Sequence, residues 1–278
     1  MIFYRILGND IPPRHSPTQT LTNLAFILGN EPVLPGCERR FLLNRIVDAQ
    51  IKMQLIALID EAGLRWHDIP FVPDEFRRLE TPYEKALYLT NQNAARNRCI
   101  ELGLADGDTV LPFDGQSFFT AQGWSAMAAA MIADGAGKYF TVPMFRLSDN
   151  RLALASWGRP GFEDADHTRT EPQLIVRRGC DIRFNPYLTY GQANKVELLM
   201  RLGVAGPWDA WTGQPFDAIR ANLARLRSRS YGQVREAGFV LRLESGNPQA
   251  DQDRSFRARA RIAGLSEFVA RIEAELGR

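Results

Sequence analysis

The chain has 278 residues, of which 34 are Lys or Arg and 32 Asp or Glu, for a formal net charge of +2. That near balance lacks the electrostatic footprint of a nucleic-acid binder, so no nucleic-acid partner is expected. With 45% hydrophobic and 24% charged residues, the composition is that of a globular protein long enough to bury a large α/β core unaided. Cys37, Cys99 and Cys180 are widely spaced and form no C-x-x-C pair. Neither a disulfide framework nor a zinc site is expected, and a reduced, cytoplasmic setting fits. The N-terminus lacks the apolar core of a signal peptide. No run approaches the ~20 apolar residues of a membrane span, so a soluble protein is expected.

In chain order, Met1 to Leu7 reads as a first strand, ended by Gly8-Asn9-Asp10 and Pro12-Pro13. The loop to Thr20 carries potential ligand groups in Asn9, Asp10, Arg14 and His15. Thr20 to Gly29 reads as a short amphipathic helix and Arg39 to Val47 as a second strand. Asp48 then stands before a helix from Ala49 to Ala62, ended by Gly63. There Asp48 can N-cap the helix, or its carboxylate can accept ribose hydroxyls, as in dinucleotide sites. Ile69 to Val72 reads as a third strand and Pro73 to Pro82 as a charged connection.

The most informative stretch is Asn91 to Thr120. Ala94, Ala95, Cys99, Ile100 and Leu102 give an apolar helix face. Gly103 and Asp106-Gly107-Asp108 are expected to stop that helix. Thr109 to Phe113 is an apolar run of the kind buried on both faces, ending on Asp114-Gly115-Gln116. A carboxylate at the carboxyl end of a buried strand stands where open α/β sheets bind ligands.

Helix Ala95-Arg96-Asn97, strand Leu111-Pro112-Phe113 and turn Asp114-Gly115-Gln116 together resemble the core of a GT-A-type glycosyltransferase of family 2. The runs FYRILGNDIPPRH, NRIVD, NQNAARN and PFDGQ also resemble a bacterial group of glycosyltransferase-like proteins. The resemblance implies a GT-A-like α/β sandwich with a mostly parallel central sheet flanked by helices, over residues 1–212. A helical extension over 213–278 follows. It implies a sugar transferred from a nucleotide-sugar donor to a hydroxyl of a glycan or glycolipid acceptor, in bacterial surface polysaccharide synthesis. Asn9, Asp10, Arg14, Asp48, Arg96 and Asp114 are the implied donor-binding residues. Asp114 matches the first acid of the family's metal-binding D-x-D turn, but Gln116 replaces the second. The implied divalent cation, Mn²⁺ or Mg²⁺, would then rest on Asp114 and Gln116, with His167 completing the set, at lower ligand charge.

Beyond the turn, Gln122 to Ala133 reads as a helix, Lys138 to Leu147 as a strand, Ser148 to Asp166 as a flap-length loop and Leu174 to Arg178 as a strand. In the family, an acidic pair opens a later helix and supplies the catalytic base. Here Leu199-Met200-Arg201-Leu202-Gly203 matches that helix's tail, but Asn194-Lys195 replace the acids. Glu197 and Glu171 are the remaining candidates for the base. Trp208 to Pro215 reads as a loop and Phe216 to Ser228 as a helix. Gly232 onward reads as two helices divided at Ser245-Gly246-Asn247-Pro248. The last has Ile262, Leu265, Phe268, Val269, Ile272 and Leu276 on one side and arginines over much of the rest. These arginines read as a solvated face, or as a peripheral contact with the inner face of the membrane. No G-x-S-x-G, Walker A or G-x-G-x-x-G motif supports a hydrolase, kinase or dehydrogenase. Two other readings stand beside the transferase: a non-catalytic GT-A-shaped glycan- or partner-binding module, and a nucleotidyltransferase, for which the single glycine of the first loop is poor support.

Overall fold

In the computed structural model, which describes residues 1–154, 169–191, 194–226 and 234–277, the expected α/β architecture is present. One eight-stranded sheet is flanked by helices, with a long helix at the C-terminal end. The strands are β1 (Ile2–Leu7), β2 (Glu38–Asn44), β3 (Arg65–Ile69), β4 (Thr109–Asp114), β5 (Ser117–Phe118), β6 (Tyr139–Arg146), β7 (Arg169–Arg177) and β8 (Val240–Arg242). Their spatial order is β3-β2-β1-β4-β7-β6-β8-β5. The first four are parallel; β7 is antiparallel to both β4 and β6, β8 runs with β6, and β5 opposes β8. Most strands thus point one way, with β7 and β5 reversed. The helices are α1 (Gln19–Asn30), α2 (Ala49–Glu61), α3 (Pro73–Arg78), α4 (Pro82–Thr90), α5 (Gln92–Asp106), α6 (Ala121–Ala133), α7 (Val196–Leu202), α8 (Phe216–Leu226), α9 (Pro248–Gln252) and α10 (Arg254–Leu276).

Every residue of β1 is buried, as expected of a parallel strand covered on both faces. Chain order reverses around it: β2 and β3 lie on one side, β4 on the other. Ligands of open α/β sheets bind outside the carboxyl ends of the strands at such a switch point. Pairing of β4 with β7 is confined to Thr109↔Arg177 and Val110↔Val176. The end of β4 that carries Asp114 is therefore unpaired on the β7 side.

Several local expectations are corrected. Gly103 lies within α5 and does not end it. A Cβ there would stand 2.3 Å from Val110 Cγ2, so the glycine lets the helix press onto β4. The third strand sits earlier than expected, at Arg65–Ile69. The charged connection contains α3, and the Thr81–Glu84 capping box opens α4. The turn after Asp114 holds β5, tied back by Arg5. That buried guanidinium bonds Ser117 O at 2.9 Å and pairs with Glu31, whose Oε1 accepts from Phe119 N at 2.9 Å. The expected penultimate helix is replaced by β8, a sheet strand between β6 and β5. Within 213–278, β8 thus joins the sheet, and α10 lies on α3 and α4 through Leu265, Phe268, Val269 and Ile272 against Ile11, Phe76 and Leu89. Ile262, expected on that apolar side, is exposed. Among the described residues no helix is long and apolar enough to cross a membrane.

Candidate active site

A cleft of about 340 Å³ opens beside the carboxyl end of β4. It adjoins a side chamber of about 60 Å³ at the end of β1. Gln92, Asp114, Tyr190 and Arg242 line both. Asp114 is the meeting point. Its Oδ1 accepts from Arg96 at 2.6 Å, and its Oδ2 accepts from Lys195 Nζ and from Gln173 Nε2, each at 3.1 Å. Arg242 stands 3.7 Å from Oδ2. Burial alone would raise this carboxyl, but Lys195, Arg96 and Arg242 outweigh it and hold it well below the usual carboxylate range. Burial works the other way on Lys195, whose ammonium is brought down to about 8 despite the favourable charge of Asp114.

Lys195 reaches the cleft because α5 holds the segment that carries it. Asn91 Nδ2 donates to Pro186 O at 2.9 Å. Asn93 Nδ2 donates to Asn185 O and Asn194 O, each at 2.7 Å. Asn97 exchanges bonds with Phe184 in both directions, at 2.9 Å. The asparagines of the NQNAARN run are thus a clamp on the backbone of Phe184, Asn185, Pro186 and Asn194. Between them Arg96 is buried, 5.2 Å over the Phe184 ring and held by Asn93 Oδ1 and Gln92 Oε1.

Two further walls were not anticipated. Trp208, Trp211 and Phe216 form an aromatic side with edge-to-face contacts at 6.5 and 5.2 Å. The density of aromatics in WDAWTGQPF was the signal for it. The same cleft is lined by Arg242 of β8 and by Arg257 and Arg261 of α10. Gly264 lets α10 come this close: a Cβ there would lie 2.1 Å from Pro12 O. Arg261 stacks over the Tyr190 ring at 5.2 Å. Burial, reinforced by Arg261 and Arg242, draws the Arg257 guanidinium down to about 10.

Of the residues expected in the site, Arg96, Asp114 and Glu171 line the main cleft, and Asn9 and Gln116 line the side chamber. Glu171 stands on β7 two residues before Gln173, where the pairing with β6 shifts register. Burial raises its carboxyl, but Arg261, Lys195 and Arg242 lower it further, so it stays ionised. Asn9 serves the loops: its amide donates to Arg45 O at 2.8 Å and accepts from Val47 N at 2.9 Å. Asp10 accepts from Thr20 N and Thr20 Oγ1 at the start of α1. Arg14 is fully buried behind the cleft, 3.8 Å from Asp251. Asp48 is the N-cap of α2, accepting from Gln50 N and Ile51 N. Glu197 is corrected as a candidate base. It lies in α7 with its carboxylate closed by Arg201 Nε at 2.7 Å, an i,i+4 pair, and it does not line the cleft. His167 and the flap-length loop fall mainly on 155–168, outside the described residues.

The described residues around Asp114 do not fit a divalent cation. Both carboxylate oxygens are already shared among three donors. At roughly 5 Å and an effective dielectric of about 20, each neighbouring monovalent cation would repel a divalent one by about 7 kcal/mol. Gln116 Oε1 is buried without a hydrogen-bond partner among the described residues. One neutral oxygen is a poor donor set for a hard cation, which favours several oxygens with carboxylate charge among them. Among the described residues no group of three or more His, Cys, Asp or Glu is placed to hold a metal.

No protein-family model matches the chain. No curated protein matches it. Among solved structures it is similar to residues 1–349 of TarS from S. aureus. Against the complex with UDP-GlcNAc the identity is 13% and the TM-score 0.47, covering 93% of this chain and 72% of that one. Against the complex with UDP the identity is 13% and the TM-score 0.44, covering 99% and 70%.

Proposed function

We propose that the chain is a nucleotide-sugar-dependent glycosyltransferase acting on a hydroxyl of a glycan or glycolipid acceptor in bacterial surface polysaccharide synthesis. The observation that carries this reading is the cleft at the carboxyl ends of β1 and β4. There basic side chains for a diphosphate, aromatic side chains for a sugar or base, and an ionised carboxylate, Glu171, line one cavity. The resemblance of Ala95-Arg96-Asn97 and Leu111 to Gln116 to family 2 transferases supports it from the sequence.

Glu171 takes the proton of the acceptor hydroxyl. The hydroxyl oxygen forms a bond to the anomeric carbon as the bond from that carbon to the diphosphate breaks, and the nucleoside diphosphate leaves with the electron pair. Arg96, Lys195 and Arg242 stabilise the charge gathering on the leaving group without reorganising. Asp114 keeps them in place and is a positioning residue.

One observation favours a second reading, a non-catalytic module that binds an anionic glycan: the carboxylate best placed at the strand end is wholly engaged by neighbouring side chains. Incubation with UDP-, GDP-, dTDP- and CMP-sugars, followed by mass spectrometry of released nucleotide, separates the two. Release from one donor that is lost in Glu171→Gln supports the transferase. Donor binding without release, unchanged by Glu171→Gln, supports the module.

A further inference from the structure

The cleft's charge is unbalanced. Among the described residues, Arg96, Lys195, Arg242, Arg257 and Arg261 open on it, against only Asp114 and Glu171. Asp114 is already shared by Arg96 and Lys195. The Nε donors of Arg242 and Arg261 are buried and have no hydrogen-bond partner among the described residues. Behind this wall the imbalance continues. Among the described residues Arg14 finds no hydrogen-bond partner for any of its three guanidinium nitrogens. Its one neighbouring carboxylate there, Asp251, also accepts from Arg146 Nη1 at 3.0 Å. Guanidinium groups desolvated without partners are costly unless a counter-charge arrives. The cleft has room for one and presents planar, multi-donor guanidiniums, which match phosphate oxygens in pairs.

We propose that the wall built by β8 and α10 is a direct anion site: Arg242, Arg257 and Arg261, with Lys195, which meets Arg242 at Asp114 Oδ2, hold a diphosphate-class anion with no divalent cation between protein and phosphate. The glycosyltransferase reading identifies that anion as the donor's diphosphate, and only that identification rests on it. The placement of the cations explains why the strand-end turn carries Gln116 where an acid would stand. Positive charge is supplied from α10, and Asp114 serves to anchor Arg96 and Lys195.

The test is calorimetric titration of the full chain with inorganic pyrophosphate in excess EDTA. Binding is expected in EDTA and should weaken steeply with added salt, as charge-driven binding does. Arg257→Gln with Arg261→Gln should weaken it at least tenfold, with an unchanged circular dichroism spectrum. Arg271→Gln, on an exposed part of the same helix, should leave it unchanged. Should the double variant misfold, Arg261→Lys serves instead, with a loss of threefold or more expected from the forfeited guanidinium geometry. No binding in EDTA, with binding restored by Mn²⁺, overturns the proposal. Full affinity in a folded double variant also overturns it.

The same sample separates this from the functional reading. Pyrophosphate binding in EDTA with no nucleotide-sugar bound, with or without Mn²⁺, keeps the anion site and removes the transferase. Sugar transfer and pyrophosphate binding that both require Mn²⁺ keep the transferase and remove the direct anion site.

Discussion

Replacing Asp114 by Asn tests whether this carboxylate is an anchor for cations or a ligand for a metal. Asn keeps the volume and removes the charge. Arg96 at 2.6 Å, Lys195 at 3.1 Å and Arg242 at 3.7 Å would lose their shared counter-charge in a site where Asp114 is 12% exposed. Breaking a buried pair by removing one partner costs about 3–5 kcal/mol. At roughly 2–4 °C per kcal/mol for a chain of this size, the melting temperature should fall by about 10 °C. Calorimetry in EDTA at pH 7 reads it. Pyrophosphate should then raise the melting temperature of Asp114→Asn more than that of the unmodified chain, because a bound anion replaces the missing charge. The pH dependence has a fixed sign. The folded carboxyl titrates well below its ordinary value. Its stabilisation is therefore present above the usual carboxylate range and is lost only as pH falls through the depressed folded value. A fall of less than about 2 °C in EDTA, with a difference appearing only when Mn²⁺ is added, would refute the anchor argument and return Asp114 to a metal-ligand role.

Glu171→Gln should retain donor affinity while kcat drops by about 10²–10⁴-fold, the range for a lost general base; parallel binding and rate measurements check it, and an unchanged kcat removes Glu171 from the chemistry. Lys195 is charged below about 8 when the cleft is empty, and an anion binds only the charged form. Pyrophosphate affinity should therefore be full below that pH and decline as pH rises through it. Lys195→Arg should flatten this decline, and a flat profile in the unmodified chain would remove Lys195 from the anion site. Gly103→Ala should destabilise by about 1–3 kcal/mol by overpacking, even though alanine favours the helix by about 1 kcal/mol. Adding Val110→Ala should recover part of that loss, as measured by denaturant unfolding, and a stabilised single variant would show that α5 does not press on β4.

β1, β2 and β4 were legible because each contains a short apolar run, and Asp114 stood out as the carboxylate ending one of them; β3, RWHDI, has no such run and was expected too late in the chain. What lay hidden was contributed by pairing between distant residues. The three residues of β8 have no periodicity of their own, and only β5 and β6 on either side make them a strand. The second half of β7 is legible and its beginning is not, because Glu171 and Gln173 interrupt the apolar pattern. Asp10 and Asp48 carry acid groups in the loops after β1 and β2, and local backbone bonds at the starts of α1 and α2 absorb them. An Asp before a helix has the same local appearance whether it caps or binds. NQNAARN borders the cleft through Gln92 and Arg96, and its asparagines grip a segment some ninety residues further along the chain, a relation that no local pattern encodes.

The arginines of α10 are the instructive misreading. Arg257, Arg261 and Leu265 follow one another at four-residue spacing, and Phe268 and Ile272 extend the row by steps of three and four. Residues at such spacings share one face of a helix. The two arginines thus continue the helix's buried stripe. A solvated or membrane-facing set would lie across the helix from that stripe, as the exposed Arg259 does, two residues from both arginines. Cations on a core-facing stripe signal that the stripe leaves the core for a polar cavity, which is where Arg257 and Arg261 stand. The same geometry joins stability to binding. Leu265, Phe268, Val269 and Ile272 fix α10 on α3 and α4, and Gly264 seats it on the Pro12 carbonyl. The guanidiniums are therefore held over the cleft by a packed helix. Side chains fixed in this way lose little further freedom when an anion arrives. The fold stores the cost of holding these like charges together, and an anion entering the cleft releases it.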